Sequence, residues 1–372
     1  MTGADDAERF ARVRLLRSPH VGPVTYYQLL TRFGSATAAL PALPDLAARG
    51  GGRYRLADAA TITEEFAGVD KAGARLLFHD DADYPLTLLA LDQPPPILCL
   101  RGNLALFDQP GVAMVGARNA SAGAVRLARD FAAGLARRGF AVISGLARGI
   151  DAAAHHGALD ASRGDGGTIA VIAGGIDVVY PPEHAALQDR IANEGLLVAE
   201  MPPGTEPLAR HFPARNRIIA GLAAGTVVVE AAPKSGSLIT ARLAGEFGRE
   251  VMAVPGSPLD ARAQGCNQLI RDGAILVQSA ADIAELVETF EGTARSRFRD
   301  SGVADFLGPE PEAPVSADTV DRVAALVGTA PVAVDELIRQ SALFPGAVHD
   351  ALLDLELAGR LVRHSGGRVS LL

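Results

Sequence analysis

Lysine is almost missing from this chain: Lys71 and Lys234 are the only two among 372 residues, and arginine supplies the rest of the positive charge. Acids outnumber bases, 43 against 35, for a net charge of −8. A histone-like role is thereby excluded, and a polyanion would have to meet a local cluster. Cysteine is scarce too. Cys99 and Cys266 alone cannot build a disulfide framework or a cysteine-rich metal site, and a reducing, cytoplasmic setting is expected. Only 5% of residues are aromatic, so the 48% that are apolar must fill the cores largely with aliphatic side chains. No run reaches the apolar length of a membrane span, and Met1 to Phe10 is acidic and polar, without the apolar stretch of a secretory signal. G-x-G-x-x-G and G-x-x-x-x-G-K-[ST] are both absent. Neither a dinucleotide-dependent oxidoreductase nor a P-loop is supported.

At 38.5 kDa the length favours two or three domains. Residues 1–80 read as a helical domain, with Leu15, Leu16, Leu29, Leu30 and Phe33 at apolar spacing around a break at His20-Val21-Gly22-Pro23. The break and the amphipathic run Tyr26 to Phe33 look like a SAM-like or helix-hairpin-helix arrangement whose backbone amides can face a phosphate; a plain helical corner needs the same Gly and Pro. Its charge, 10 Lys plus Arg against 9 Asp plus Glu, does not decide. A Pro-rich connector, Asp92 to Pro96, leads into the strand-like Ile97 to Leu100.

Residues 81–290 repeat strand, Gly-rich loop, helix. Val112–Val115, Phe140–Ile143, Thr168–Ala173, Leu196–Glu200, Thr226–Glu230, Glu250–Val254 and Ala274–Val277 are aliphatic runs without alternation, as strands buried on both faces require. Helices are expected over Ser121–Arg138 and Ser237–Phe247, closed by Gly139 and Gly248. The fold class is α/β: a Rossmann-like, doubly wound, mainly parallel sheet, with ligand loops at the carboxyl ends of its strands. A polar, Pro-rich linker occupies 291–315, and 316–372 reads as a winged-helix-like domain of three short helices and a two-stranded wing.

Candidate site residues lie in the loops of the middle part. After the first strand, Gly116 lets the backbone approach a ligand, Ser121 can cap the following helix, and Arg118 offers a bidentate fork, so a phosphate site is predicted; a tight turn with a solvated arginine is the alternative. Ser144 and Gly145 open a second amide-rich loop that runs through Arg148 to Asp151. His155 and His156 behind it point in different directions on a helix and read as structural. Gly174 to Asp177 forms another turn, in which Asp177 can serve as a cap. The densest positive cluster is Arg210 to Arg217. Its Phe212, Arg215, Asn216 and Arg217 suit single-stranded nucleic acid, with guanidinium groups on phosphates and a ring on a base, unless Arg215 and Arg217 pair with Glu200 or Glu230 instead. Lys234, Ser235 and Gly236 start a further helix at the same rim, and four rim loops are expected to converge on one anionic ligand.

Taken in order, Val115-Gly116-Ala117-Arg118, Ser144 to Asp151, Phe212 to Leu222, Ser235-Gly236-Ser237 and Pro255-Gly256 closely resemble the DNA-processing protein A (DprA/Smf) family. Ala117 stands where that family often has Ser or Thr. The resemblance implies a cytoplasmic protein that binds single-stranded DNA, protects it, and helps load RecA during natural transformation. It also implies a homodimer formed through the Rossmann-like domain, no cofactor and no catalysed reaction. It places Arg118 and Lys234 on phosphates and Phe212 on a base. In the C-terminal part, the candidate recognition helix Gly346 to Leu357 carries Asp350, Asp354 and Glu356, which would repel duplex DNA; a protein-interaction or dimer-supporting role is expected, or weak contact through Arg363 and Arg368. The rival class is an enzyme. Gly225 to Glu230 is a partial match to the G-T-x-x-E element of nucleotide phosphoribohydrolases, and Gly221-Leu222-Ala223-Ala224 replaces the P-G-G-x that precedes it there. Asp151 or Asp177 in an N-glycosidase has no further support.

Overall fold

The computed structural model describes residues 3–161, 166–288, 317–364 and 366–372. Its contacts separate two compact units, one within Glu65–Ala304 and one combining the described parts of Met1–Glu64 and Asp305–Leu372. The linker expected over 291–315 lies outside the described residues.

The N-terminal stretch forms α1 (Gly3–Arg17), α2 (Pro23–Phe33), α3 (Ala36–Ala39), α4 (Leu43–Arg49) and α5 (Ala59–Lys71). Then follow β1 (Arg75–Phe78), α6 (Leu86–Leu89), β2 (Ile97–Gly102), β3 (Gly111–Val115), α7 (Ala122–Ala136), β4 (Ala141–Ser144), α8 (Ile150–Ala161) and β5 (Gly167–Gly175). Next come α9 (Ala185–Glu194), β6 (Leu196–Met201), α10 (His211–Leu222), β7 (Gly225–Val228), α11 (Gly236–Glu246), β8 (Glu250–Ala253), α12 (Gln264–Arg271), β9 (Ile275–Leu276) and a helix α13 over 280–288. The C-terminal stretch gives α14 (Ala317–Leu326), β10 (Val332–Ala333), α15 (Val334–Ser341), α16 (Pro345–Leu357), β11 (Leu361–His364) and β12 (Arg368–Leu371).

Nine strands make one sheet in the order β1-β2-β6-β5-β4-β3-β7-β8-β9. Every neighbouring pair from β6 to β9 is parallel, whereas β1–β2 and β2–β6 are antiparallel. Strand β3 shows why an unbroken aliphatic run is needed. Ala113 and Val115 join a cluster with Ile218, Ile219 and Leu222 of α10, while Val112 and Met114 join another with Phe131 and Leu135 of α7. Both faces are covered, so no position can be polar. Gly139 and Gly248 follow α7 and α11 with φ of 85° and 67°, the left-handed conformation a helix stop favours. The chain runs from β3 to β6 on one side and returns to β7 on the other, which puts the topological reversal between β3 and β7.

Two expectations are corrected. Residues 75–78 are a strand rather than part of a helical domain, because Arg75 to Phe78 pair with Ile97 to Leu100, a long-range pairing that local pattern does not announce. Strand β7 stops at Val228, which leaves Glu230 in the loop beyond it.

In the other unit, α1, α2 and α4 close over Leu15, Tyr26, Leu29, Leu43 and Leu46, and the same cluster takes in Leu353 and Leu357 of α16. The C-terminal residues have a core of their own, with Val320, Leu337, Leu352 and Val369, and a three-stranded sheet ordered β10-β12-β11. The sequence predicts two separate end domains; contacts join them.

Candidate nucleic-acid interface

Loops at the carboxyl ends of β3, β4 and β5 and the start of α10 surround one concavity. Arg118 lines it from the first loop, Leu146 and Arg148 from the second, Gly174 and Tyr180 from the third, and Phe212 and Arg215 from α10. Arg118 is exposed, and its guanidinium carbon lies 5.3 Å from the centre of the Phe212 ring, within cation–π range. Tyr180, 44% exposed, sets its ring 5.7 Å from that of Phe212 at 57°. Below them Arg215 is buried. Its Nη1 donates to the carbonyls of Gly145 and Val171, and its Nε donates to Asn216 Oδ1 at 3.2 Å. Neutral oxygens take the Nη1 and Nε protons, and among the described residues no carboxylate is hydrogen-bonded to the guanidinium. Burial pulls the Arg215 pKa down to about 10, Asp151 draws it up and Arg118 down, so the group stays cationic at neutral pH. Burial raises the Asp151 carboxyl in turn, against the pull of Arg215 and two backbone N–H groups.

Three consecutive amides of the second loop are turned inward rather than offered to a ligand. Gly145 N and Ala147 N donate to Asp151 Oδ2 at 3.2 and 3.3 Å, and Leu146 N donates to His155 Nε2 at 3.3 Å. His155 is wholly buried, with Nδ1 2.7 Å from Thr168 Oγ1, whose single proton goes to the Val142 carbonyl at 2.8 Å. That bookkeeping assigns the ring proton to Nδ1. Burial lowers the His155 pKa to about 3, so the ring is neutral, in the structural role its sequence context predicts. Ser144 is likewise fully buried and donates to the Met114 carbonyl at 2.6 Å, so it lies beneath the concavity rather than in it. Gly149, at φ 73°, allows this loop to cross the first one: a Cβ there would collide with the Ala117 carbonyl.

The crevice between β3 and β7 is closed by an internal carboxylate. Ser121 caps α7, as expected, by accepting from Ala124 N at 3.1 Å, but its hydroxyl and its N–H both donate to Glu230, at 2.6 and 3.0 Å. Ala117 N donates to the Glu230 carbonyl at 2.7 Å. Gly116 serves close packing, since a Cβ would lie 2.5 Å from Ile150 Cγ1.

Arg217 takes the alternative its sequence left open: it forms an ion pair with Glu200 and donates to the Gln93 carbonyl at 3.2 Å. Asn216 accepts from Arg215. The expected convergence of four loops on one ligand site is also corrected, because Lys234 lines a different concavity, with Leu238, Pro255, Leu269 and Leu276. There Lys234 and Gly236 are exposed, and Ser235 caps α11 through Ser237 N at 3.4 Å. Of the predicted site residues, Arg118, Gly145, Phe212 and Arg215 line the first concavity together. Tyr180 and Arg148 do so without having been singled out. A tyrosine just past a glycine turn at a strand's carboxyl end was the available signal for the first. Arg148 pairs with Glu183. Asp177 accepts from Gly204 N at 2.7 Å, which ties its turn to the loop after β6 rather than capping the turn itself. Among the described residues no three His, Cys, Asp or Glu side chains gather as a metal site, and no helix is long and apolar enough to cross a membrane.

Residues 75–288 match the family described as DNA recombination-mediator protein A, residues 6–68 the DprA-like N-terminal HHH domain, and residues 308–367 the DprA winged helix domain. Protein Smf of Synechocystis is 37% identical over 318 residues, 79% of this chain and 79% of the relative. DNA processing protein DprA of Streptococcus pneumoniae is 45% identical over 231 residues, 62% of this chain and 79% of the relative. The X-ray structure of the Streptococcus pneumoniae protein superposes with a TM-score of 0.62 at 38% identity, covering 74% of this chain and 97% of that one. DNA processing protein A of Helicobacter pylori, a structure described for its single-stranded DNA binding mode, gives 0.52 at 27% identity, covering 59% and 96%.

Proposed function

Because the chain belongs to the DNA recombination-mediator protein A family, we propose that it binds single-stranded DNA in recombination during natural transformation, shields the strand, and passes it to RecA. The observation that carries this reading is the stack of Arg118 on Phe212, with Tyr180 at its side, above the buried cation of Arg215. The exposed Tyr180 ring and the half-buried Phe212 beside it take a base of any identity, and guanidinium groups take phosphates, so binding is independent of sequence. The ends of β5, β4, β3 and β7 are consecutive along the sheet. A strand lying over them from Tyr180 towards Lys234 crosses three inter-strand spacings, roughly 14 Å. Lys234 then serves a neighbouring phosphate of the same strand, which replaces convergence on a single pocket by a track. The test is fluorescence anisotropy with labelled oligothymidylate over a salt series: loss of affinity on Phe212→Ala and a shallower salt slope on Arg118→Ala are expected, and wild-type behaviour of both variants overturns the assignment.

The reading is of a binding module without turnover. Glu230, the residue an N-glycosidase would use, has both carboxylate oxygens engaged by Ser121, which favours a capping role. Release of free base from nucleoside monophosphates by the purified protein would reverse this choice. Self-association is proposed for the sheet edge just beyond Lys234 in the same unit. There the edge strand β9 and helix α12 bring the exposed Leu276 together with the half-buried Leu269 and Ile270, an apolar edge suited to a second copy. Ile270→Glu should shift the sedimentation coefficient towards that of a monomer.

A further inference from the structure

Both end segments are built like DNA-binding modules, a hairpin entering a helix at one end and a winged helix at the other. In the structure their working elements meet. Helix α2 starts at Gly22-Pro23 with no side-chain cap and no acid in its first turn, which leaves its positive end to be answered from elsewhere. The answer comes from α16. Glu356 Oε2 accepts from Thr25 Oγ1 in that first turn at 2.9 Å and from Arg363 Nε at 2.8 Å. Asp350 pairs with Arg32 of α2 at 3.1 Å, and Asp354, whose side chain is fully buried, accepts from Arg49 Nε of α4 at 2.9 Å. Around these pairs Leu353 and Leu357, each 1% exposed, enter the cluster of Leu15, Tyr26 and Leu29. The backbones touch as well: a Cβ on Gly50 would overlap the Asp354 carbonyl, and one on Gly52 would lie 2.7 Å from Ala358 Cα.

We infer that α16 has exchanged DNA reading for a permanent intramolecular partner: its carboxylates sit on the N-terminal helices where external phosphates would, and neither end segment contacts DNA. The same acids that would repel a duplex are the counter-charges the N-terminal arginines need. Arg363, the wing residue expected to touch DNA, is spent on Glu356 and on Gln28 Oε1 at 3.4 Å. Separation would expose two fully buried leucines and strip a buried carboxylate of its guanidinium, which makes the contact a lock rather than a switch.

The test uses the full chain and stands apart from the strand-binding site. Hydrogen exchange followed by mass spectrometry is measured on the wild type and on Asp354→Asn, and oligothymidylate and a blunt duplex carrying photoreactive uracils are cross-linked to the wild type. Exchange in α2 and α4 should rise together with that in α16, by about tenfold or more, as one cooperative unit. Cross-links should fall within Glu65–Ala304 alone. Loosening of α16 with α2 and α4 still protected would overturn the inference, as would cross-links in α2, α16 or the wing. A second variant, Asp350→Asn with Glu356→Gln, should gain no affinity for duplex DNA; a gain would show that the acids were covering a usable DNA surface.

Discussion

Arginines in the two units are held by different partners, and the difference decides what each surface can do. Around the concavity of the Rossmann-like unit, Arg215 is hydrogen-bonded by backbone carbonyls and Arg118 lies on an aromatic ring, so the groups are fixed without a carboxylate hydrogen bond and Arg118 keeps its charge exposed. In the end unit Arg32, Arg49 and Arg363 are each bound by a carboxylate of α16, and the charge is cancelled inside the protein. The contrast also runs within the Rossmann-like unit. Arg217 sits two residues from Arg215 but faces Glu200, and Arg148 at the rim faces Glu183. A cluster of arginines in a sequence is therefore a basic surface only where the partners are neutral.

Acidification should sharpen the comparison most, because the neutral network under the concavity depends on an unprotonated histidine. The His155 pKa falls from 6.5 to about 3 on folding. Between those values the unfolded chain binds the extra proton, so the contribution is complete above pH 6.5 and is lost progressively as pH falls towards 3. Urea denaturation across that range should show the decline in the Rossmann-like unit, and His155→Gln should flatten it. Arg215→Met should come next: two buried carbonyls lose their donor, and unfolding free energy should drop by about 3 kcal/mol. An unchanged midpoint would mean that the carbonyls do not depend on the guanidinium. Phe212→Ala should weaken oligothymidylate binding by roughly 1–3 kcal/mol with the salt slope intact, and Arg118→Ala should lower that slope by about 0.7 per phosphate lost. The smallest effect is expected of Arg217→Ala, which should leave the slope unchanged and cost about 1 kcal/mol of stability through its pair with Glu200. A clear loss of slope there would break the division between neutral and acidic partners.

Much of the architecture was legible in order along the chain. The aliphatic runs at 112–115, 140–143 and 168–173 fall within a residue or two of β3, β4 and β5, and the winged-helix elements fall close to their predicted places. Strand β1 was not legible, since its four residues gain meaning only from β2. The site was legible in part. Arg118 and Phe212 lie where a phosphate fork and a stacking ring were expected, but Ser121 and Ser144, which look like ligand hydroxyls in a loop, bond to Glu230 and to the Met114 carbonyl.

By itself the sequence determined the doubly wound sheet, the helical and winged ends, and the family, because buried strands, glycine stops and loop motifs are local patterns a few residues long. Tertiary structure alone decided which charges face outward. Arg215 finds its carbonyls 70 and 44 residues away and Arg49 finds Asp354 at 305, separations at which the composition of either segment says nothing about its partner.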